Sequence, residues 1–313
     1  MQCETISQLN AYISSGSIRH LIRVDESLHQ MQICKIADAI VARNAKAVLL
    51  SGPSSSGKTT TANRLATQLC VHNKKPILVS LDNYYVDREK IIKDSDGKVD
   101  FENINTIDTV LFEKHLHALL SGEAVQLPSF DFLTGKRVWQ EDTLQLSDES
   151  VIIIEGLHAL NPVLLSQALD NDKVFKIYAS PEKSLRINEN EQIPPSFLRL
   201  LRRIVRDMKT RGASVCQTIM MWESVRNGEK IWIFPYKHLA DACFDSATTY
   251  ELAFIKKEIY PLLQEIKQDD PCYKQACAIQ LVLDQIADSD AQDEIPPTSI
   301  VREFIGGNTF YEN

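Results

Sequence analysis

Short apolar runs alternate with segments of helical periodicity along much of the chain. The runs are "AVLL" (47–50), "PILVSL" (76–81), "VIIIEG" (151–156) and "KVFKIYAS" (173–180). Their hydrophobicity is continuous rather than alternating, which is typical of strands buried on both faces of a parallel sheet. After the first run, Ala62, Leu65, Ala66 and Leu69 recur at helical spacing. The order strand, turn, helix, strand predicts an α/β fold with a doubly wound parallel sheet.

Helical periodicity also precedes this core and continues beyond the second strand. Within residues 24–44, Ile33, Ile36 and Ile40 mark the buried side of a predicted helix. Residues 106–121 predict another helix, which Gly122 ends.

The C-terminal part of the chain predicts helices over residues 249–267 and 272–287. The acidic stretch 284–294 predicts a solvated linker between them and the tail. In the tail "IPPTSIVREFIGG" (295–307), Thr298 or Ser299 can cap a helix of one or two turns that the glycine pair stops.

Composition limits the classes of function. The 313 residues are 44% hydrophobic, the formal net charge is −8, and the pI is near 5.5. Such an acidic chain argues against broad binding to nucleic acid or to a membrane surface. No apolar run is long enough to cross a bilayer, and "MQCETISQLN" does not resemble a signal peptide. The seven scattered cysteines predict reduced thiols in a cytoplasmic protein.

A glycine-rich turn follows the first predicted strand. Gly52, four further residues and Gly57-Lys58-Thr59 fit the P-loop pattern. Glycines let consecutive N–H groups surround an anion, and the following helix adds its positive dipole end. Lys58 can reach the outer phosphates, and the Thr59 hydroxyl can ligate Mg²⁺. The predicted nucleotide-binding residues are Gly52, Pro53, Ser54, Ser55, Ser56, Gly57, Lys58, Thr59 and Thr60.

Two carboxylates end the next predicted strands. Asp82 follows the second strand, and Glu155 ends "VIIIE" (151–155). Carboxyl ends of parallel strands meet at one edge of the sheet, where open α/β folds bind their ligands. A carboxylate there can accept a proton from an attacking hydroxyl or hold a metal ion, so Thr59, Asp82 and Glu155 are the predicted metal-side residues. The guanine-reading Asn-Lys-x-Asp motif of GTPases is absent from the sequence, which disfavours that class.

A basic cluster lies in "FLRLLRRIVRDMKTRG" (197–212). Residues 198–211 carry six basic side chains against Asp207 alone, a local charge of +5 in an acidic chain. On a helical wheel the arginines crowd one side and the apolar residues the other. A solvated cationic face would explain the pattern, but phosphoryl transfer requires positive charge over the transferring group, which arginine supplies well.

These motifs together resemble the uridine kinase/phosphoribulokinase family of P-loop kinases, in particular its bacterial uridine kinase-like branch. The matching stretches are "SGPSSSGKTT", "SLDNYYVDRE", "DGKVDFENINTIDTVLFEKHL", "LPSFDFLTGKRVW", "IIIEGLHALNP", "RLLRRIVRDMKTRG" and "IPPTSIVREFIGG". They occur in family order from about residue 45 onward. The resemblance implies transfer of the γ-phosphoryl group of Mg·ATP to the 5′-hydroxyl of a nucleoside, with ATP and Mg²⁺ as cofactors. The acidic composition leads us to expect no nucleic acid or membrane partner.

The resemblance also assigns roles by position. Asp82 matches the general base, Lys58 the phosphate lysine, and Arg203, Arg206 and Arg211 the arginines of a helical lid at about 185–235. The residues that match the nucleoside pocket are Tyr85, Phe101, Glu102, Phe130, Asp131 and Arg137. The expected organisation is an N-terminal helical segment (1–44), a kinase core with its lid (45–248), and C-terminal helices and tail packed on the core (249–313).

The sequence departs from the family pattern in two places. Gly135 stands where uridine kinases carry a histidine that reads the pyrimidine edge. The lid begins "NENEQIPPSFLR" (188–199), where relatives have a Thr-Asp-Thr-Arg run, so its hinge geometry is expected to differ. A kinase of another small hydroxyl acceptor, such as a sugar phosphate, glycerate or a pantothenate-like acid, therefore stays open. A nucleotide-binding regulator without transfer and a homo-oligomer also stay open.

Overall fold

The computed structural model describes residues 3–91, 102–165 and 171–310. Seven strands lie in these ranges: β1 (Ala47–Ser51), β2 (Lys75–Ser80), β3 (Val125–Asp131), β4 (Lys136–Leu144), β5 (Ser150–Glu155), β6 (Val174–Ser180) and β7 (Ala242–Asp245). Their helices are α1 (Ile6–Ser14), α2 (Ile18–Ala42), α3 (Lys58–Val71), α4 (Thr109–Leu120), α5 (Pro195–Thr210), α6 (Val215–Trp232), α7 (Glu251–Gln264), α8 (Tyr273–Leu283) and α9 (Arg302–Ile305).

Five strands form a central sheet in the order β2-β5-β1-β6-β7, and every neighbouring pair is parallel. Along β1, Val48 and Leu50 belong to one apolar cluster, whereas Ala47 and Leu49 belong to another. The central strand is therefore buried on both faces, which explains its unbroken hydrophobicity. The predicted doubly wound α/β fold and its four strands are confirmed.

Different elements pack on the two faces of the sheet. On one face, the apolar sides of α1, α2, α3, α5, α7 and α8 and the tail near α9 share a single cluster. The other face is covered mainly by α4 and the start of the antiparallel β3–β4 hairpin. Because N-terminal and C-terminal helices join one cluster, the domain boundaries at residues 44 and 248 stay a prediction.

Several sequence expectations need correction. The helix before β1 begins at Ile18 rather than near residue 24, and α1 precedes it. The stretch 284–294 is not a solvated linker, because Arg23 binds Glu294 at 2.6 Å and Ala291 is buried. Ion pairs at the surface hold this segment against α2, and its acidic side chains provide the negative partners.

Two cysteines also differ from the expectation of reduced thiols. Cys216 of α6 and Cys272, just before α8, are joined in a disulfide. Cys272 is fully buried within the larger apolar cluster. The bond ties the second helix of the predicted lid to the C-terminal helices. Separately, no helix in 3–91, 102–165 or 171–310 combines the length and apolarity that crossing a bilayer demands.

Candidate functional site

The glycine-rich turn joins β1 to α3 at the carboxyl edge of the sheet. Gly57 has φ 82° and Ser55 has φ 57°, so the backbone twice enters the left-handed region. At Gly52 a Cβ would overlap the Ala179 carbonyl oxygen, which explains the glycine there. The serines between the glycines are buried. This shape, directly before a helix N-terminus, is suited to binding an anion.

Lys58 lies across the turn that it follows. Its Nζ donates hydrogen bonds of 3.0 Å to the carbonyl oxygens of both Gly52 and Pro53. Burial lowers the pKa of this ammonium, while the Glu155 and Asp82 carboxylates oppose that shift. The lysine is thus held at the mouth of the turn by groups that a phosphate oxygen can replace.

Glu155 and Asp82 approach Lys58 from neighbouring strands. In the strand register Glu155 pairs with Leu50 of β1 and Ser80 of β2. The Ser80 hydroxyl donates to Glu155 Oε1 at 2.9 Å and accepts from the Asp82 N–H at 3.3 Å. Burial, together with the Asp82 charge, raises the pKa of Glu155 to about 7. Two carboxylates are therefore close enough to repel each other at this edge.

The donor chemistry of this edge fits a magnesium ion. Among the described residues, no three His, Cys, Asp or Glu side chains cluster as a ready metal site. However, Mg²⁺ takes few protein ligands and prefers hard oxygen donors. Asp82, Glu155 and the exposed Thr59 beside Lys58 supply such oxygens. Burial and the Asp82 charge both disfavour an ionised Glu155, and a divalent cation would offset these effects.

A cavity of about 230 Å³ opens in front of Lys58 and Asp82. Its wall includes eight of the residues that the sequence predicted for catalysis or acceptor binding: Lys58, Asp82, Tyr85, Glu102, Phe130, Arg203, Arg206 and Arg211. The glycine-rich turn and the predicted general base thus face the same space. These residues come from separate segments of the chain, and only the fold brings them together.

Aromatic rings form one side of the cavity. The centroids of Tyr85 and Phe130 lie 5.5 Å apart, and those of Phe130 and Phe132 lie 5.3 Å apart. The Arg211 guanidinium stands 4.8 Å from the centre of the Phe132 ring. Sequence reasoning missed Phe132, which lies two residues after Phe130 in the turn that directly follows β3.

Three arginines of the predicted lid converge on one acid. Arg203 Nε lies 3.1 Å from Asp207, Arg206 lies 2.7 Å from it, and Arg211 lies 3.8 Å from it. Burial favours the protonated acid, but Arg206, Arg203 and Arg211 together hold the pKa of Asp207 below its usual range. The Arg206 charge, aided by burial, lowers the pKa of Arg211 to about 10. The cavity therefore concentrates more positive charge than Asp207 neutralises.

Arg199 and Arg202, which share the basic side of α5, have other partners. Arg199 forms a buried ion pair with Glu229 and donates to the Ser54 carbonyl oxygen at 3.1 Å. Arg202 binds Glu251 at 2.6 Å and donates to the Ser246 carbonyl oxygen at 2.8 Å. Neither lines the cavity in front of Lys58. The expectation of one cationic face is therefore wrong for these two arginines, which support the turn and the adjoining loop.

Two predicted acceptor residues, Asp131 and Arg137, do not line this cavity. Asp131 is turned toward the hairpin, where it accepts from the Leu133 N–H at 2.8 Å and the Thr134 hydroxyl at 2.8 Å. Arg137 binds the Tyr84 and Tyr85 carbonyl oxygens at 3.0 Å each, so it holds the loop that carries Tyr85. Phe101 lies outside the described residues.

Gly135 has a structural reason to lack a side chain. Its φ is 69°, and a Cβ would stand 2.9 Å from the Arg88 Cβ. Arg88 lines the cavity, and its Nη2 donates to the Phe132 carbonyl oxygen at 2.8 Å. The Arg88 N–H also donates to the Gly135 carbonyl oxygen at 2.9 Å. Arg88 is thus a cavity residue that sequence reasoning missed.

Comparison with known proteins gives a family match, related sequences and similar solved structures. The sequence model of the Phosphoribulokinase / Uridine kinase family matches residues 48–253. A uridine kinase of Staphylococcus aureus is 31% identical over 193 residues, covering 61% of this chain and 83% of that protein. A uridine kinase of Clostridium perfringens is 28% identical over 179 residues, covering 56% and 74% respectively. A solved structure described as "a Possible Uridine Kinase from Bacillus stearothermophilus" aligns with TM-score 0.45 and 21% identity over 68% of this chain and 97% of that one.

Proposed function

The chain belongs to the phosphoribulokinase/uridine kinase family, and we propose that it transfers the γ-phosphoryl group of ATP to the 5′-hydroxyl of a nucleoside. The observation that carries the proposal is the shared cavity. Lys58 of the phosphate-binding turn and the Asp82 carboxylate line it together with Tyr85 and Phe130. Phosphate-binding, proton-accepting and ring-stacking groups in one space suit a donor phosphate and a flat acceptor.

Each side chain has a separate task in this proposal. Asp82 accepts the proton of the attacking hydroxyl, since it stands in the cavity beside Lys58. Lys58 leaves the Gly52 and Pro53 carbonyl oxygens and binds the outer phosphates of the donor. Arg206 and Arg211 provide positive charge where negative charge grows during transfer. Tyr85, Phe130 and Phe132 stack on the acceptor base and orient its hydroxyl.

Mg²⁺, when bound by Thr59, Asp82 and Glu155, would neutralise charge on the phosphate chain. The burial of Glu155 close to the Asp82 charge supports this assignment. Leu157 and Met221 add apolar groups to the cavity wall, and with a ligand bound they would help to limit the water that could hydrolyse the donor.

An acceptor screen tests the proposal directly. The purified protein is mixed with Mg·ATP and uridine, cytidine, other nucleosides or sugar acids, and ADP release is measured by a coupled assay. We expect ADP release that depends on a nucleoside acceptor. ATP binding without ADP release on any acceptor would identify a regulator instead and contradict the proposal.

Asp82→Asn tests the proposed general base. We expect kcat to fall by about 10²–10⁴-fold, because a positioned acid–base group contributes that much, while ATP binding is kept. Steady-state kinetics and ATP titration measure the two effects. Asp148→Asn makes the same change in an exposed loop before β5, at the opposite edge of the sheet, and should leave kcat unchanged. Near-normal turnover of Asp82→Asn would remove Asp82 from this role.

A second candidate, a small acceptor that carries an anionic group, is favoured by one observation. Arg88 and Arg211 both line the cavity, and Gly135 contributes no side chain that could read a base edge. Arginine binds carboxylates and phosphates well. In the same screen, ADP release with sugar phosphates or glycerate but not with nucleosides would establish this candidate.

A further inference from the structure

A carboxylate from the tail occupies the N-terminus of α3. Glu303 Oε2 accepts hydrogen bonds from the Thr60 hydroxyl at 2.5 Å and from the Thr60 N–H at 3.4 Å. This N–H precedes the first intrahelical bond of α3, from Thr61 N to Gly57 O at 3.0 Å. The positive end of a helix that follows a phosphate-binding turn is where an anion binds. In this structure the anion is part of the chain itself.

The segment that carries Glu303 is firmly packed. A Cβ added at Gly57 would lie 2.6 Å from Ile300 Cγ2, so the tail touches the turn directly. Phe304 is fully buried, its ring stands 5.1 Å from the Arg202 guanidinium, and its carbonyl oxygen accepts from Lys209 Nζ at 3.2 Å. Glu303 is therefore held against Thr60 by residues of the same helix that provides the cavity arginines.

We infer that Glu303 is an internal competitor for the phosphate chain of the donor and so sets the affinity for that donor. The inference rests on the proposed function, because it takes the turn at 52–60 to be the donor site. A phosphate that binds the Thr60 N–H and hydroxyl must displace the Glu303 carboxylate.

Binding of inorganic tripolyphosphate and of ATP, measured by calorimetry without acceptor, tests the inference. Glu303→Gln removes the charge and keeps the side-chain size. We expect it to bind both probes about tenfold more tightly than the unmodified protein, because a charge-assisted hydrogen bond no longer has to be broken. Glu303→Asp, which keeps the charge but shortens the reach, should show a smaller gain and serves as a second variant if Glu303→Gln does not fold.

Glu294→Gln is the matched control. It makes the same change of charge shortly before the tail, where Glu294 pairs with Arg23 rather than with the turn. Its affinity for both probes should equal that of the unmodified protein.

The possible results separate the inference from the proposed function. Equal or weaker binding of both probes by Glu303→Gln would overturn the inference while leaving the donor site intact. A loss restricted to ATP would mean that Glu303 contacts the nucleoside part, which also overturns it. Absence of binding in every protein tested would remove the donor site and both proposals. Tighter binding without transfer to any acceptor would support the inference and reject the proposed function.

Discussion

Helix α5 and Arg211, which directly follows it, contain two sets of arginines with the same chemistry and different surroundings. Arg199 and Arg202 are buried, and each is paired with a buried glutamate, Glu229 or Glu251. Arg206 and Arg211 are partly exposed and line the cavity, where they share Asp207. A basic cluster that looks uniform in sequence therefore serves two purposes. One set fixes the helix and the glycine-rich turn, and the other faces the cavity.

The two sets differ in the state of the acidic partner that remains when an arginine is substituted. A buried ion pair gains little over apolar packing, but loss of one partner strands a charge away from water. A cavity arginine that shares an acid with two others leaves that acid still compensated. We therefore expect substitutions in the first set to act on stability and substitutions in the second to act on turnover.

The largest expected effect is that of Arg202→Met. Because Glu251 would remain buried and uncompensated, we expect the free energy of unfolding to fall by about 3–5 kcal/mol, measured by denaturant titration. The double variant Arg202→Met with Glu251→Leu should recover most of this loss, since both charges are then gone. If Arg202→Met is as stable as the unmodified protein, the structural role assigned to the buried arginines is wrong.

Arg206→Ala should have the opposite profile. We expect kcat to fall roughly 10²-fold, the usual cost of losing one group that stabilises transition-state charge, with little change in melting temperature. Steady-state kinetics and thermal unfolding report the two quantities. Arg186→Ala, an exposed arginine paired with Glu4, is the control for loss of one positive charge. If Arg206→Ala loses much stability, the cavity arginines are structural like the buried ones, and the proposed difference between the two sets is wrong.

Glu102→Gln is expected to have the smallest effect, a change in the pH dependence of stability. The result shows whether Arg203 belongs with the buried or with the cavity arginines. Burial raises the pKa of Glu102 from its usual 4.5 to about 7, although the nearby Arg203 charge lowers it. The stabilising contribution of this carboxyl is thus complete below about pH 4.5 and is lost as the pH rises through about 7. Relative to the unmodified protein, Glu102→Gln should be more stable above pH 7 and unchanged near pH 4.

Thermal unfolding from pH 4 to 8 measures this dependence, with Glu123→Gln as a control at an exposed glutamate. If Glu102→Gln instead destabilises the protein at pH 8, Glu102 is the ionised partner that Arg203 needs. Arg203 would then act as a supporting residue like Arg202 rather than as a cavity residue.

Local patterns predicted the parts of the fold that local chemistry determines. Continuous apolar runs identified four strands of the central sheet, and the glycine spacing identified the turn. The hairpin was missed because β4 is mostly exposed and polar, so it lacks the alternation that marks a strand. Strand β7 is only four residues long and was missed for lack of a pattern.

The roles of the arginines could not be read from the sequence in the same way. Glu229 and Glu251 lie 30 and 49 positions from Arg199 and Arg202, and nothing local marks them as partners. Likewise, Arg137 looked like an acceptor residue but binds the backbone of the Tyr85 loop. Which polar groups pair inside the protein depends on the three-dimensional packing, whereas the type of chemistry at the sheet edge depends on short motifs.

The contact between Thr60 and Glu303 joins positions that are 243 residues apart. During synthesis, the ribosome therefore completes the glycine-rich turn long before it adds the segment that covers it. Contacts with such sequence separation form late and slowly compared with a single helix. The stretch that is easiest to recognise in the sequence is thus among the last to gain its native surroundings.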